Sequence, residues 1–286
     1  MSTQAAQHAA STAQGADAAH DLRAAFAHVR EWVFDLDNTL YCASARLFDQ
    51  IDARMREYLM RLFRVDAATA RFIQKDYFHR YGTTLRGLIV NGEIGDPDDF
   101  LSFVHDIDYS AIAPDTALDE ALAALEGRKW VFTNGSLAHA ERVLERLGVL
   151  AHIDEIFDVK AAGYVPKPHR QAFDAFFTRT GIAPRHSAMF EDIARNLAEP
   201  HARGMTTVLV THPANTDSAA LNHHGEKACG CGAHGHAASE SRHPHDDIFG
   251  PHVHFRTRRL SDFLSAIAGG ENAIRENTTT LEGNQA

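Results

Sequence analysis

Asp35 and Asp37 stand two residues apart in "WVFDLDNTLY", directly after the apolar run Trp32, Val33, Phe34 and directly before Asn38 and Thr39. Like charges this close raise one another's pKa unless a cation sits between them. The pair therefore reads as a proton-sharing dyad, as a divalent-metal site, or as the solvated acids of an Asx-type turn. Further along, Thr133 closes an apolar run in "KWVFTNGS", Lys167 lies in "YVPKPH", and Glu191 and Asp192 follow "SAMF". Carboxylates in such a set hold a hard cation such as Mg²⁺, whereas a hydroxyl, a lysine and loop amides hold an anion, which here reads as phosphate. One carboxylate can then attack phosphorus and form an aspartyl-phosphate, which splits a hard displacement into two easier ones, while the lysine neutralises the equatorial oxygens.

These residues work together only if the fold gathers them. From Leu47 the apolar positions Leu47, Ile51, Met55, Tyr58, Leu59 and Leu62 follow a 3.6-residue period, and shorter helical patterns cover 67–78, 84–90 and 98–104. A small all-helical unit at 42–112 is expected. After it the pattern becomes short apolar strands at "KWVF", "EIFDV", "SAMF" and "TTVLV", with helices at 137–147, about 169–180 and 193–203 between them. Leu137, Ala140, Val143, Leu144 and Leu147 form the apolar stripe of the first of these, with Ser136 as its cap and Gly148 as its stop. Strands alternating with helices predict an α/β fold, a doubly wound parallel sheet, over 29–41 and 113–268. "HVHFRT" reads as a last strand and "LSDFLSAI" as a last helix. Residues 1–28 read as a disordered Ala-rich tail, 213–251 as a His-rich insertion within the core, and 269–286 as a loose C-terminal tail. In an open parallel sheet ligands bind at the carboxyl ends of the strands, which is where Asp35, Thr133, Glu191 and Asp192 fall.

The 286 residues, 44% of them hydrophobic, suffice for one large or two modest domains with a real core. Cys42, Cys229 and Cys231 do not form a disulfide framework and suit a reducing compartment. No apolar run reaches the roughly 18 residues of a membrane span. The first residues lack the basic and continuous apolar regions of a signal peptide, so a cytoplasmic protein is expected. A formal net charge of -10 argues against nucleic acid as a partner.

"DLDNTLY", "VFTNGS", "YVPKP" and "FEDIARNL", in that order, resemble the four motifs of the haloacid dehalogenase superfamily. The resemblance implies that Asp35 is the nucleophile and Asp37 the general acid and base, which also lends its backbone carbonyl to Mg²⁺. It makes Asp192 a further metal carboxylate and Thr133 and the Asn134 amide the phosphoryl ligands. Lys167 would hold the phosphoryl group and the nucleophile, with Glu191 and Asn196 supporting the metal. The helical unit at 42–112 matches the cap that one branch of the superfamily inserts after its first motif. "YGTTLRGL", "FVHDIDYSAI" and "VPKPHRQAFD" further resemble the pyrimidine 5'-nucleotidase subgroup, which implies a substrate like UMP or CMP. Another small phosphate ester (a sugar phosphate, phosphoglycolate or a lysophospholipid) is the alternative. Cys42-Ala43 stands where relatives often carry a proline, and the family offers no role for the His-rich insertion.

Rival classes remain in view. A phosphoaccepting signalling domain uses similar residues but in a different order along the chain. A dehalogenase needs neither Mg²⁺ nor a second-position acid, so Asp37 and Asp192 speak against it. A phosphomutase stays open. Tyr81, Thr83 and Thr84 either touch substrate from the cap or simply form a turn and a helix cap. Eight of the 19 histidines lie between 223 and 254, with Cys229 and Cys231, so a metal-buffering protein is also conceivable. A C-x-C spacing and irregular histidines do not fix a tetrahedron, and a solvated loop with adventitious Zn²⁺ or Ni²⁺ affinity is expected.

Overall fold

The computed structural model describes residues 21–211 and 250–269. Six strands, β1 (Glu31–Phe34), β2 (Arg128–Phe132), β3 (Glu155–Phe157), β4 (Ser187–Glu191), β5 (Thr206–Val210) and β6 (Phe255–Thr257), form one sheet in the order β3-β2-β1-β4-β5-β6. Every pairing is parallel. The chain runs outward from β1 to β3, then jumps across to β4 on the other side of β1. The order reverses there, and in open parallel sheets the carboxyl ends of the strands at such a switch point, here β1 and β4, are where ligands bind.

Side chains alternate along β1 and so serve two layers. Val33 packs with Trp130, Phe132, Phe173, Phe176 and Met189 on one face. Trp32 and Phe34 pack on the other with Phe26, Leu144, Phe190 and Phe263. Each such buried side chain contributes about 1.5–3 kcal/mol. Helices cover both faces, as continuous apolar strands require.

Between β1 and β2 the chain forms α1 (Leu47–Phe63), α2 (Ala67–Tyr81), α3 (Thr84–Val90) and α4 (Pro97–Val104). They close a core of their own with Ile51, Leu59, Tyr77, Leu85, Leu88, Phe100 and Val104. Asp66, Thr83 and Asp96 cap α2, α3 and α4 by accepting from backbone N–H groups. Gly87 lets α3 lie against α2, since a β-carbon there would stand 2.4 Å from Tyr77 Cγ. Further described helices are α5 (Thr116–Ala124), α6 (Leu137–Leu147), α7 (Arg170–Thr180), α8 (Ala198–Ala202) and α9 (Leu260–Ala268). No described helix is long and apolar enough to cross a membrane.

The structure corrects several expectations. The tail does not extend to residue 28, because residues 21–26 are helical. Leu22, Phe26 and Val29, hidden in an Ala-rich stretch, enter the core, and Phe26 stacks on Trp32 at 6.0 Å. β3 stops at Phe157 because Asp158 turns out to accept from Leu137 N and Ala161 N. The helix expected over 193–203 splits into a 3-10 turn (Ala194–Leu197) and α8, since Pro200 has no N–H to continue the ladder. His252 and His254 precede β6 instead of lying in it. Thr207 Oγ1 donates to the His252 carbonyl at 2.7 Å, and Thr207 N donates to His254 Nδ1 at 3.1 Å, a side-chain arrangement that replaces the ladder. Most of the His-rich insertion, with Cys229 and Cys231, and the tail beyond Gly269 lie outside the described residues.

Candidate active site

The main chain keeps Asp35 in the ladder, with its N–H donating to the Phe190 carbonyl at 2.9 Å, and then turns sharply. Asn38 takes a φ of 60°, the left-handed region that Asn tolerates best among residues with a side chain. The turn folds Thr39 back so that Oγ1 donates to Asp35 Oδ2 at 3.0 Å, and Tyr41 so that its hydroxyl donates to Asp37 Oδ1 at 2.6 Å. Two carboxylates two residues apart thus acquire different partners at once.

Asp35 faces a buried cation. Lys167 Nζ donates to Asp35 Oδ1 and to the Phe132 carbonyl, both at 2.7 Å, and stands 3.6 Å from Glu191 Oε2. Its side chain is 1% exposed. Burial pulls the Lys167 ammonium down, but the charges of Asp35 and Glu191 outweigh that and hold it above its ordinary value. The lysine loop is clamped by Asn134, whose Oδ1 accepts from Lys167 N at 2.8 Å and whose Nδ2 donates to the Lys167 carbonyl at 3.2 Å. Thr133 follows β2 with its N–H on the Phe157 carbonyl, and its Oγ1 accepts from Gly135 N at 2.9 Å.

Asp35, Glu191 and Asp192 each offer an oxygen, all within 4.8 Å of one another. Asn196 Nδ2 donates to Glu191 Oε1, while Glu191 Oε2 and Asn196 Oδ1 are buried without a hydrogen bond. Burial first, and the charge of Asp35 next, push the Glu191 and Asp192 carboxyls well above the usual carboxylate range. Three carboxylates against one ammonium leave a negative excess, and the donors are all oxygen. Such a set fits a hard divalent cation.

Asp37 lies in other company. His139 Nε2 meets Asp37 Oδ1 at 2.9 Å, and the histidine is fully buried. Burial would raise the Asp37 carboxyl, but the charge and hydrogen bond of His139 and the bond from Tyr41 prevail and draw it down to about 2. Both of these hydrogen bonds end on Asp37 Oδ1, and the three converging carboxylates are Asp35, Asp192 and Glu191, the last of which the sequence reading had put in a supporting role while giving the metal the backbone carbonyl of Asp37. Tyr81, Thr83 and Thr84 are not brought to the acids by any described contact. The Tyr81 hydroxyl donates to Asn91 Oδ1, Thr83 Oγ1 caps α3, and Thr84 is buried. His139, Tyr41 and Thr39 were not singled out from sequence, although Tyr41 and Thr39 belong to the "DLDNTLY" string. The signal for His139 was a polar residue on the buried stripe of α6, where Leu137 had been counted instead. Leu137 is 44% exposed because the first helical position faces outward.

Residues 32–204, more than half of the chain, match the family described as haloacid dehalogenase-like hydrolase. The chain belongs to that family. Phosphate metabolism protein 8 of Saccharomyces cerevisiae is 28% identical over 200 residues, which is 62% of this chain. The matched region spans 60% of that relative's length. A 2-haloacid dehalogenase from Pseudomonas syringae pv. Tomato superposes with a TM-score of 0.46 at 17% identity, covering 84% of this chain and 98% of the other. A HAD phosphatase from Thermococcus onnurineus gives 0.44 at 16%, covering 65% and 87%. Within this hydrolase family the arrangement can do two things chemically. A carboxylate beside a buried cation has the makings of a nucleophile, and a second carboxylate with separate partners has those of a proton carrier.

Proposed function

We propose that this haloacid dehalogenase-like hydrolase cleaves phosphomonoesters, with pyrimidine nucleoside 5'-monophosphates such as UMP and CMP as substrates and Mg²⁺ as its metal. The observation that carries the reading is the convergence of Asp35, Glu191 and Asp192 within 4.8 Å around the buried ammonium of Lys167. Asp35 attacks phosphorus, forming its own O–P bond as the ester P–O bond breaks. The leaving oxygen takes the proton of the Asp37 carboxyl. Asp37, now a carboxylate, takes a proton from water, whose oxygen attacks the aspartyl-phosphate and releases phosphate with Asp35 restored. Asp37 is thereby reprotonated for the next cycle. Its low resting pKa favours the base half of this duty, and an arriving phosphate dianion, as a like charge, raises it toward the acid form.

Lys167 neutralises phosphoryl oxygens, and the Thr133 hydroxyl with the Asn134 N–H binds them. Mg²⁺ held by Asp35, Asp192 and Glu191 supplies charge that offsets repulsion between nucleophile and substrate. The name of the yeast relative, which refers to phosphate metabolism, supports the substrate class. The resemblance of "YGTTLRGL" and "VPKPHRQAFD" to pyrimidine 5'-nucleotidases supports the base preference.

A phosphate-release screen over nucleoside monophosphates and sugar phosphates, with Mg²⁺ or with chelator, tests this. UMP and CMP should lead the panel, and chelation should stop turnover. Release led by a sugar phosphate would remove the nucleotide assignment and keep the chemistry. No release from any ester would remove both.

A further inference from the structure

The proposed chemistry needs a carboxyl group at Asp37, yet the protein surrounds that group with a buried polar chain that the chemistry alone does not call for. His139 sits in the first turn of α6, with Nε2 2.9 Å from Asp37 Oδ1 and Nδ1 2.9 Å from the Tyr109 hydroxyl. The one proton of that hydroxyl serves either His139 Nδ1 or the His105 carbonyl, which lies 3.0 Å away. The His139 ring stacks on His105 at 4.4 Å between centroids and 16° between planes, and His105 Nδ1 is 2.9 Å from Ser136 Oγ. Ser136 Oγ in turn accepts from His139 N at 3.3 Å, capping α6. On the remaining side Gly135 leaves no slack, since a β-carbon there would stand 3.1 Å from His139 Cδ2. The imidazole is thus held by both nitrogens, its face and its edge.

We propose that His139 is the positioning residue for Asp37, fixing Oδ1 so that Oδ2 is the oxygen that gives and takes the proton; this rests on the reading of Asp37 as acid and base. A carboxylate cannot donate, so His139 Nε2–H donates to it. Both hydrogen bonds, from His139 and from Tyr41, end on Oδ1. An oxygen committed to two donors is the poorer proton carrier, which leaves the duty to Oδ2. The two donors differ in what they fix. Tyr41 belongs to the same turn as Asp37 and moves with it. His139 comes from the segment that runs from Thr133 through the cap Ser136 into α6, so it references the acid to the strand end that binds the phosphoryl group. Without this tether an anionic Asp37 would be free to turn toward Lys167, the buried cation paired with Asp35. Misplacement of a proton-transfer group by about 1 Å costs on the order of 100-fold.

The test measures kcat and KM of His139→Leu and His139→Gln on a nucleoside monophosphate, a poor leaving group, and on nitrophenyl phosphate, an activated one. His139→Leu should lose about 10- to 100-fold in kcat on the first ester and little on the second, with KM within about twofold on both. His139→Gln, whose amide N–H reaches toward Asp37, should recover most of the loss. Equal losses on both esters, or none, would overturn the proposal. Should His139→Leu fail to fold, Tyr109→Phe carries the test, because it frees Nδ1 at nearly constant volume. A loss confined to the poor leaving group then supports the tether, and an unchanged ratio of the two rates overturns it. Asp37→Asn measured beside these separates the two readings. If that variant shows no leaving-group dependence, the acid assignment itself fails, whereas dependence there and none at His139 removes only the tether.

Discussion

The two halves of the site begin two residues apart and are built on opposite principles. The Asp35 half is a cluster of charges, in which three carboxylates crowd one lysine whose side chain is 1% exposed. The Asp37 half holds a single carboxylate in a net of hydrogen bonds from Tyr41 and His139, backed by Tyr109 and His105. The first half is under-neutralised and therefore ready for a cation. The second holds Oδ1 of its carboxylate between two donors from different elements and so fixes its direction. A nucleophile needs charge balance that changes when substrate and metal arrive, whereas a proton carrier needs fixed distance and direction. The sequence Asp-x-Asp supplies identical groups, and the partners alone divide the labour.

Asp35→Asn breaks the first half most completely. An amide is a poor nucleophile and a poor ligand for a hard cation, so turnover should vanish. The protein should stay folded, since the Lys167 ammonium keeps Glu191 at 3.6 Å and the Phe132 carbonyl at 2.7 Å. Circular dichroism with a turnover assay checks this, and near-normal turnover by the folded variant would end the nucleophile assignment. The effect of Asp37→Asn should be smaller and selective. Loss of the acid slows poor leaving groups by about 10² or more and activated ones less. Equal losses on UMP and a nitrophenyl ester would mean that Asp37 does something other than carry a proton.

Legibility in the sequence divides along the same line. Asp35, Glu191 and Asp192 could be read because each follows a short apolar strand, and parallel strands deliver their ends to one edge. The alternation of strands and helices gave away the sheet for the same reason. The His139 net could not be read that way. It joins residue 37 to 139 and 139 to 109 through side chains on unrelated elements, and no periodicity reports such a contact. Asn134 was assigned an amide for phosphate, and only the structure shows its side chain clamping the Lys167 backbone. The helix at 21–26 was missed because alanine-rich composition masked Leu22 and Phe26, whose burial depends on aromatic partners over two hundred residues later, Phe255 and Phe263.

Acid should separate the two halves by sign, and this is the smallest effect to measure. Burial first, and the neighbouring charge of His139 next, lower His105 from 6.5 to about 3. Between those values the unfolded chain binds a proton that the folded chain refuses. Stability from His105 is therefore complete above about pH 6.5 and falls as pH drops toward 3, by about 1.4 kcal/mol for each pH unit. Asp37, drawn down from 3.8 to about 2, adds a loss of the same sign below its unfolded value. Glu191 and Asp192 act oppositely, since their raised folded-state pKa values favour proton uptake by the folded protein and support it as pH falls. Comparing wild type with His105→Gln between pH 6 and pH 4, above the ordinary range of Asp37, isolates the term from His105. Urea titrations of both between pH 6 and pH 4 should give the wild type the steeper decline, by about 1.4 kcal/mol per pH unit, with the variant less stable at neutral pH through loss of the stack on His139. Parallel declines would show that His105 takes up its proton in the folded state, and the ring stacked on His139 would then not be the neutral support that sets this half of the site apart.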